Sequence, residues 1–195
     1  MDATPRALVP LLLLGLMKPA ESLLQQRCDS SVNGTIYQHQ AQSLNGSYTY
    51  VDLNALHEEL HPFGLTILAF PSNQFGKQEP GGKHEILPAL QHVRPANGFV
   101  PNFLLFEKGD VNGHSEHPVY TFLKSACPPV GDSFGSVSGR LFWDPVKVND
   151  IKWNFEKFFV GVDGKPVMRW HPSVEVSEVR EFLTSYFHNL SQMRL

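Results

Sequence analysis

The sequence predicts an α/β fold, on three observations. The apolar run Leu65–Phe70, LTILAF, reads as a strand buried on both faces, the kind found in parallel sheets. Strand-like and helix-like stretches are interleaved along the chain rather than segregated, which calls for helices packed on a sheet. At 195 residues the chain fits one domain with a core large enough to cover such a sheet. Pro71 stops the run, because proline cannot donate to a ladder. An amide-rich turn follows through Ser72, Asn73, Gln74, Gly76, Lys77 and Gln78. In open α/β sheets, that end of a strand is where ligands bind.

Taken in order, the chain opens with Arg6 and LVPLLLLGLM, an apolar run too short to span a bilayer. The small-x-small pattern Ala20-Glu21-Ser22 then predicts a signal peptide over residues 1–22 and a single mature domain over 23–195. Glycosylation sequons at Asn33, Asn45 and Asn189 agree with secretion, so a soluble extracellular protein without a membrane anchor is expected. Thr35–Gln42 and Ser47–Val51 read as strands of a hairpin around Asn45-Gly46. Asp52 is placed to cap a helix carrying Leu53, Leu56 and Leu60 on one face, with Pro62 and Gly64 marking its end.

Beyond the Leu65–Phe70 strand, Glu85–Val93 reads as helix, Phe99–Phe106 as extended and Val119–Ala126 as a short helix ended by Pro128-Pro129. The stretch from Val130 to Asp150 is loop-like, and a loop that long in a compact domain is usually functional or part of an interface. Phe155–Val160 and Pro166–Trp170 form a second hairpin around Asp163-Gly164. Ser177 is placed to cap a last helix through His188, with Val179, Phe182, Leu183 and Tyr186 as its apolar side.

Composition narrows the function. A net charge of −3 with 18% charged residues argues against a nucleic-acid surface or a polybasic membrane patch. The two cysteines, Cys28 and Cys127, are too few for a disulfide framework. Without a CxxC pair or a Cys/His cluster, zinc binding and dithiol exchange are both poorly supported.

The wording NQFGKQEP resembles the glutathione peroxidase family, and the resemblance continues through VRPANGFVPNFLLFEKGDVNG and DIKWNFEKFFVGVDGKPVMRW, over about Thr35–Leu195. It implies a thioredoxin-like α/β fold, a mixed sheet flanked by helices with an N-terminal β-hairpin. The activity implied is reduction of hydrogen peroxide and organic hydroperoxides by a thiol, with glutathione as reducing co-substrate and no metal or organic cofactor. The family's catalytic glutamine falls on Gln78, and its tryptophan and asparagine on Trp153 and Asn154. Such groups suit a selenolate or thiolate, because amides and an indole N–H donate to an anion without titrating themselves. Arg94 and Lys77 fall at the mouth where glutathione carboxylates would be held. A second family arginine pair aligns with Pro172 and Ser173, so it is absent, and Arg169 aligns one step earlier. The 130–150 loop resembles the one through which secreted members assemble as homotetramers, with Phe142 and Trp143 as interface anchors or as core packing.

One member of the constellation is missing. In the family, a strand of the form LFVNVAS leads into the selenocysteine or cysteine, then a glycine and the first long helix. Here SYTYVDLNAL joins the hairpin to the helix directly. The gap is roughly 25–30 residues, about one central strand, its turn and one helical turn. Neither Cys28 nor Cys127 stands in the catalytic place, and Ser72 is a poor substitute, since a hydroxyl stays protonated without a strong base. One explanation is a conceptual translation in which the selenocysteine codon was taken for a stop and spliced around. The other is a real deletion, which would strip the sheet of its middle ladder and expose two edges. Two further functional classes stay in view. One is a catalytically dead secreted thioredoxin-fold protein that works by binding or assembly. The other is a disulfide oxidoreductase, which would need Cys28 and Cys127 to cycle as a pair.

Overall fold

The computed structural model describes residues 24–34, 43–44, 51–131, 134 and 139–192. The predicted signal peptide and nearly all of the hairpin around Asn45-Gly46 lie outside the described residues. The strands are β1 (Gln25–Arg27), β2 (Ser43–Leu44), β3 (Leu68–Ala69), β4 (Leu104–Phe106), β5 (Lys157–Val160) and β6 (Pro166–Trp170). The helices are α1 (Val51–Leu60), α2 (Ile86–His92), α3 (Pro118–Ala126) and α4 (Val176–Gln192). The class is α/β, as the sequence predicts.

The strands form two separate sheets of three, ordered β1-β6-β5 and β2-β4-β3. In the first, all pairings are antiparallel, and β5 and β6 are the hairpin expected around Asp163-Gly164. In the second, β3 runs parallel to β4 while β2 runs antiparallel to it. One core cluster joins Leu56 and Leu60 of α1, Phe159, Met168 and Trp170 of the hairpin, and Val179 and Leu183 of α4. A second gathers Phe75, Val111 and Ile151 with the partly buried Tyr120, Trp143, Trp153 and Phe158. Each fully buried side chain of this size contributes about 1.5–3 kcal/mol, so the clusters are the main favourable term on either side of the sheets.

Between the sheets lies a cavity of about 700 Å³. Ile67 and Ala69 line it from the β3 side, Phe158 and Val160 from β5, Tyr120 from α3 and Leu183 from α4. Among the described residues β3 bonds only to β4, and β5 only to β6, so both present an open edge to this space. The space is not enclosed but opens to the surroundings. The space is therefore filled by water or by chain.

The open edge explains the largest departure from the sequence reading. The predicted buried strand Leu65–Phe70 is reduced to Leu68–Ala69, and Leu68 is 41% exposed. A strand with one neighbour keeps only the part its partner holds, and here the partner β4 is itself cut from the expected Phe99–Phe106 to Leu104–Phe106. Val51 opens α1 instead of closing a strand, and Asp52 and Ser177 sit inside their helices rather than at the caps. Strand β1 was not anticipated. It pairs with β6 through Gln26↔Arg169, and its polar residues carry no alternating apolar signal.

Cys28 and Cys127 form a single disulfide across a sequence separation of 99, a bond the sequence reading did not assign. The bond ties the end of β1 to the end of α3, beside main-chain bonds from Cys28 N to Val167 O (3.0 Å) and Asp29 N to Ala126 O (2.7 Å). Such a crosslink typically contributes 2–4 kcal/mol by restricting the unfolded chain.

Candidate functional site

The site is built at the end of β3, where the chain leaves the sheet. Gln74 is buried and paired at both ends of its amide: Oε1 accepts from Val111 N (2.9 Å) and Asn112 N (3.0 Å), and Nε2 donates to Asn112 O (2.9 Å). Asn112, fully buried, passes the link on through bonds with Ile151 N (2.9 Å) and Ile151 O (3.0 Å). A satisfied buried network of this kind fixes one geometry, because each unmade bond would cost about 1–3 kcal/mol. It ties the Ser72–Gln78 turn to the segment that carries Trp153 and Asn154.

The two predicted amides meet there. Asn154 Nδ2 donates to Gln78 Oε1 at 2.8 Å, across a sequence separation of 76. With its oxygen so engaged, Gln78 keeps its NH₂ group for an anion. Trp153, half-buried, packs on Phe75 with ring centroids 5.8 Å apart. Trp153 and Asn154 both line the cavity between β3 and β5, at the end where β3 gives way to Pro71 and Ser72. Backbone strain brackets the pair: Lys77 and Phe155 have positive φ of 52° and 66°, a region that side chains other than glycine rarely adopt. Strain of that kind persists where the surroundings over-determine the backbone, and it concentrates at functional sites.

The loop after Gln78 is clamped by Lys108, whose Nζ donates to the carbonyls of Glu79 (3.1 Å), Pro80 (3.1 Å) and Gly81 (2.6 Å). Burial pushes the Glu79 carboxyl above its usual range, opposed by the charges of Lys108 and Arg94. Lys77 lies beside Gln78 in sequence and its ammonium sits 4.6 Å from the Phe142 ring centre. Arg94, exposed just beyond α2, lies close enough to act on Glu79 but has no hydrogen bond to Gln78, Trp153 or Asn154.

Sequence reasoning missed Arg140. Its guanidinium sits 5.1 Å over the Trp153 ring, and its carbonyl accepts from Gly76 N at 2.7 Å. Gly76 has φ of 64°, and a Cβ there would lie 2.8 Å from Arg140 Nη2, so a larger residue would strain the turn and push the arginine tip aside. Arg140 stands in a Gly/Ser-rich loop with no periodicity to mark it.

Two residues leave the candidate list for structural roles. Arg169 is fully buried, pairs with Glu156 at 2.6 Å and donates to Cys127 O, Pro128 O and Asn149 Oδ1. Trp143 is partly buried, donates to Asp150 Oδ2 at 2.9 Å and packs on Phe75, which is the core-packing role of its two. Phe142 stays exposed. Ser72 is buried at the cavity wall, and its hydroxyl accepts from Gln74 N at 3.4 Å. No group of three His, Cys, Asp or Glu among the described residues could hold a metal ion, and no helix among them is long and apolar enough to cross a membrane.

Two side-chain amides and an indole are thus gathered near the exit of a parallel strand in an α/β fold. The sequence relatives name the class. The family model for glutathione peroxidase matches residues 36–124. Glutathione peroxidase 3 of Mus musculus is 50% identical over 206 aligned residues, covering 92% of this chain and 91% of that one. The epididymal secretory glutathione peroxidase of Mus musculus is 47% identical, covering 92% and 93%. A crystal structure of T. cruzi GPX1 is similar at a TM-score of 0.48 and 23% identity, covering 80% of this chain and 97% of that one. The chain belongs to the glutathione peroxidase family, enzymes that reduce peroxides with glutathione. The alignment with the mouse relative is longer than this whole chain of 195 residues, so that relative has residues with no counterpart here.

Proposed function

We propose that the gene product is a secreted, thiol-dependent peroxidase in which Gln78, Trp153 and Asn154 surround a selenocysteine or cysteine, and that the 195-residue chain alone lacks that nucleophile. The observation that carries this reading is the Gln78–Asn154 hydrogen bond beside Trp153, at one end of a strand-sized gap between two open sheet edges. The segment absent from the chain would fill the gap and deliver its nucleophile to those donors.

In the cycle, the selenolate or thiolate attacks one peroxide oxygen. The O–O bond breaks, and the departing oxygen leaves as water or an alcohol after taking up a proton. The resulting selenenic or sulfenic acid condenses with one glutathione, releasing water. A second glutathione displaces the first as glutathione disulfide and regenerates the nucleophile. Gln78 and Asn154 hold the anion, Trp153 adds an indole donor, and Arg94 and Lys77 supply cations for the glutathione carboxylates. No metal or organic cofactor is needed. The relative named as epididymal secretory and the exposed sequon residues Asn33 and Asn189 support an extracellular location. Assembly as a homotetramer through the 130–150 loop is part of the proposal, with the exposed Phe142 as the apolar anchor that remains.

A second reading, a catalytically silent binding or assembly protein, is favoured for the bare chain by one observation. Both of its cysteines are spent on the disulfide, so no free thiol remains.

The test uses the chain with its central segment restored. Gln78→Ala and Asn154→Ala should each lower kcat/KM for hydrogen peroxide by about 10²–10³-fold, the usual cost of removing one preorganised donor. Unchanged kinetics in both would overturn the assignment of the site.

A further inference from the structure

We infer that the slot between β3 and β5 is a strand-binding groove that accepts an extended, uncharged, apolar peptide in trans. The inference rests on the reading that this chain lacks its central strand, but its test reads binding and not catalysis.

The backbone of β3 is set for it. Leu104 N donates to Ile67 O at 3.2 Å, so that carbonyl faces β4. Polar groups of successive residues in a strand point to opposite edges, which turns the N–H and C=O of Leu68 toward the slot. Among the described residues, strand β5 is likewise bonded on one side only, to β6. Both edges line the same space, so an extended peptide there can add to a sheet edge by main-chain bonding.

Charge and shape select the occupant. The middle of the slot is apolar, lined by Ile67, Ala69, Phe158, Val160 and Leu183. The charged groups on its walls are already engaged. Glu156 is held by Arg169, and Lys157 Nζ donates to Phe155 O (2.9 Å) and Pro172 O (3.4 Å). Glu79 stands with Lys108 and Arg94 at the amide end. A charged peptide would therefore lose its hydration and find no partner in the middle of the slot, whereas an apolar strand covers the walls and bonds a sheet edge. The curated relative holds residues with no counterpart here, and α1 begins directly at Val51.

The probe is a labelled synthetic peptide, LFVNVAS with capped ends, titrated into the purified full chain by fluorescence polarisation. A second peptide carries the same side chains with alternate backbone nitrogens methylated. The first should bind at least tenfold more tightly than the methylated one. Amides of residues 66–70 and 157–160 should gain at least tenfold protection from hydrogen exchange on binding. Leu68→Pro, which removes the slot-facing N–H, should weaken binding at least tenfold. Should that variant fail to fold, the methylated peptide and the exchange map decide alone. Equal binding of both peptides, or protection confined to other residues, would overturn the groove. So would a dimer by ultracentrifugation in which both edges are already protected without peptide, since a second copy would then be the occupant. If the peptide fails to bind while the same strand inserted in the chain restores peroxidase activity, the groove in trans falls and the proposed function stands.

Discussion

Given hydrogen peroxide and glutathione, the 195-residue chain reduces no peroxide above the uncatalysed rate. A version with a strand of the LFVNVAS form, a cysteine, a glycine and one helical turn inserted between Tyr50 and Val51 turns it over on the order of 10³-fold faster or more. The expectation follows from what the site contains and what it does not. The donors are assembled: Asn154 bonds Gln78 at 2.8 Å and Trp153 lies beside them. The cysteines are bonded to each other, and Ser72 has no base to ionise it. Donors around an empty place stabilise nothing. The insertion should also raise the melting temperature, because it fills a gap of about 700 Å³ and pairs two open edges. Turnover by the bare chain that vanishes in Cys28→Ser would instead make the disulfide pair the catalyst and revive the oxidoreductase reading.

The second large effect is on stability. Arg169→Ala is expected to cost about 3–5 kcal/mol, read as a lower urea midpoint, because it leaves a buried charge uncompensated. Both side chains of the Arg169–Glu156 pair are 0% exposed. Besides Glu156, the guanidinium bonds the carbonyls of Cys127, Pro128, Asn149 and Asp150. It thus joins β6 to the end of α3 and to the loop before Ile151. Lysine at this position should recover little, since a point ammonium cannot serve a planar set of acceptors. The effect has a defined pH sense. Burial already raises the Glu156 carboxyl, and Arg169 opposes that rise. Without Arg169 the folded-state value climbs further above the unfolded one, so the charged form carries the penalty. The deficit is therefore full above the raised value and shrinks as pH falls from there toward the unfolded one. A loss under about 1 kcal/mol, the range of an exposed ion pair, would mean that Arg169 is no strut.

Where a tight hairpin partner or the core holds an element, the sequence foretold it closely. The hairpin expected at Phe155–Val160 and Pro166–Trp170 is found at Lys157–Val160 and Pro166–Trp170, and α2 and α3 fall within a residue or so at each end. Where a neighbour is lacking, the forecast overshot. Leu65–Phe70 has the composition of a strand buried on both sides, yet only Leu68–Ala69 is held, because β4 supplies the one ladder it has. The apolar run still carries the pattern of a complete sheet. The site was readable only in part. Gln78, Trp153 and Asn154 came from the resemblance, and nothing in local spacing could have paired amides 76 residues apart. Arg140 and the Cys28–Cys127 bond were opaque for a related reason: each depends on loops brought together by the fold, and neither has a periodic signature.

The peroxidase reading requires that this chain has lost the strand that carries the nucleophile, while the gene's working product keeps it. The most direct measurement is intact mass and peptide mapping of the native secreted protein across Tyr37 to Leu60. The account predicts a peptide with an additional strand and a selenocysteine or cysteine ahead of LNALHEEL. A contiguous SYTYVDLNAL peptide as the sole product would contradict it, and the peroxidase reading would fall for this protein.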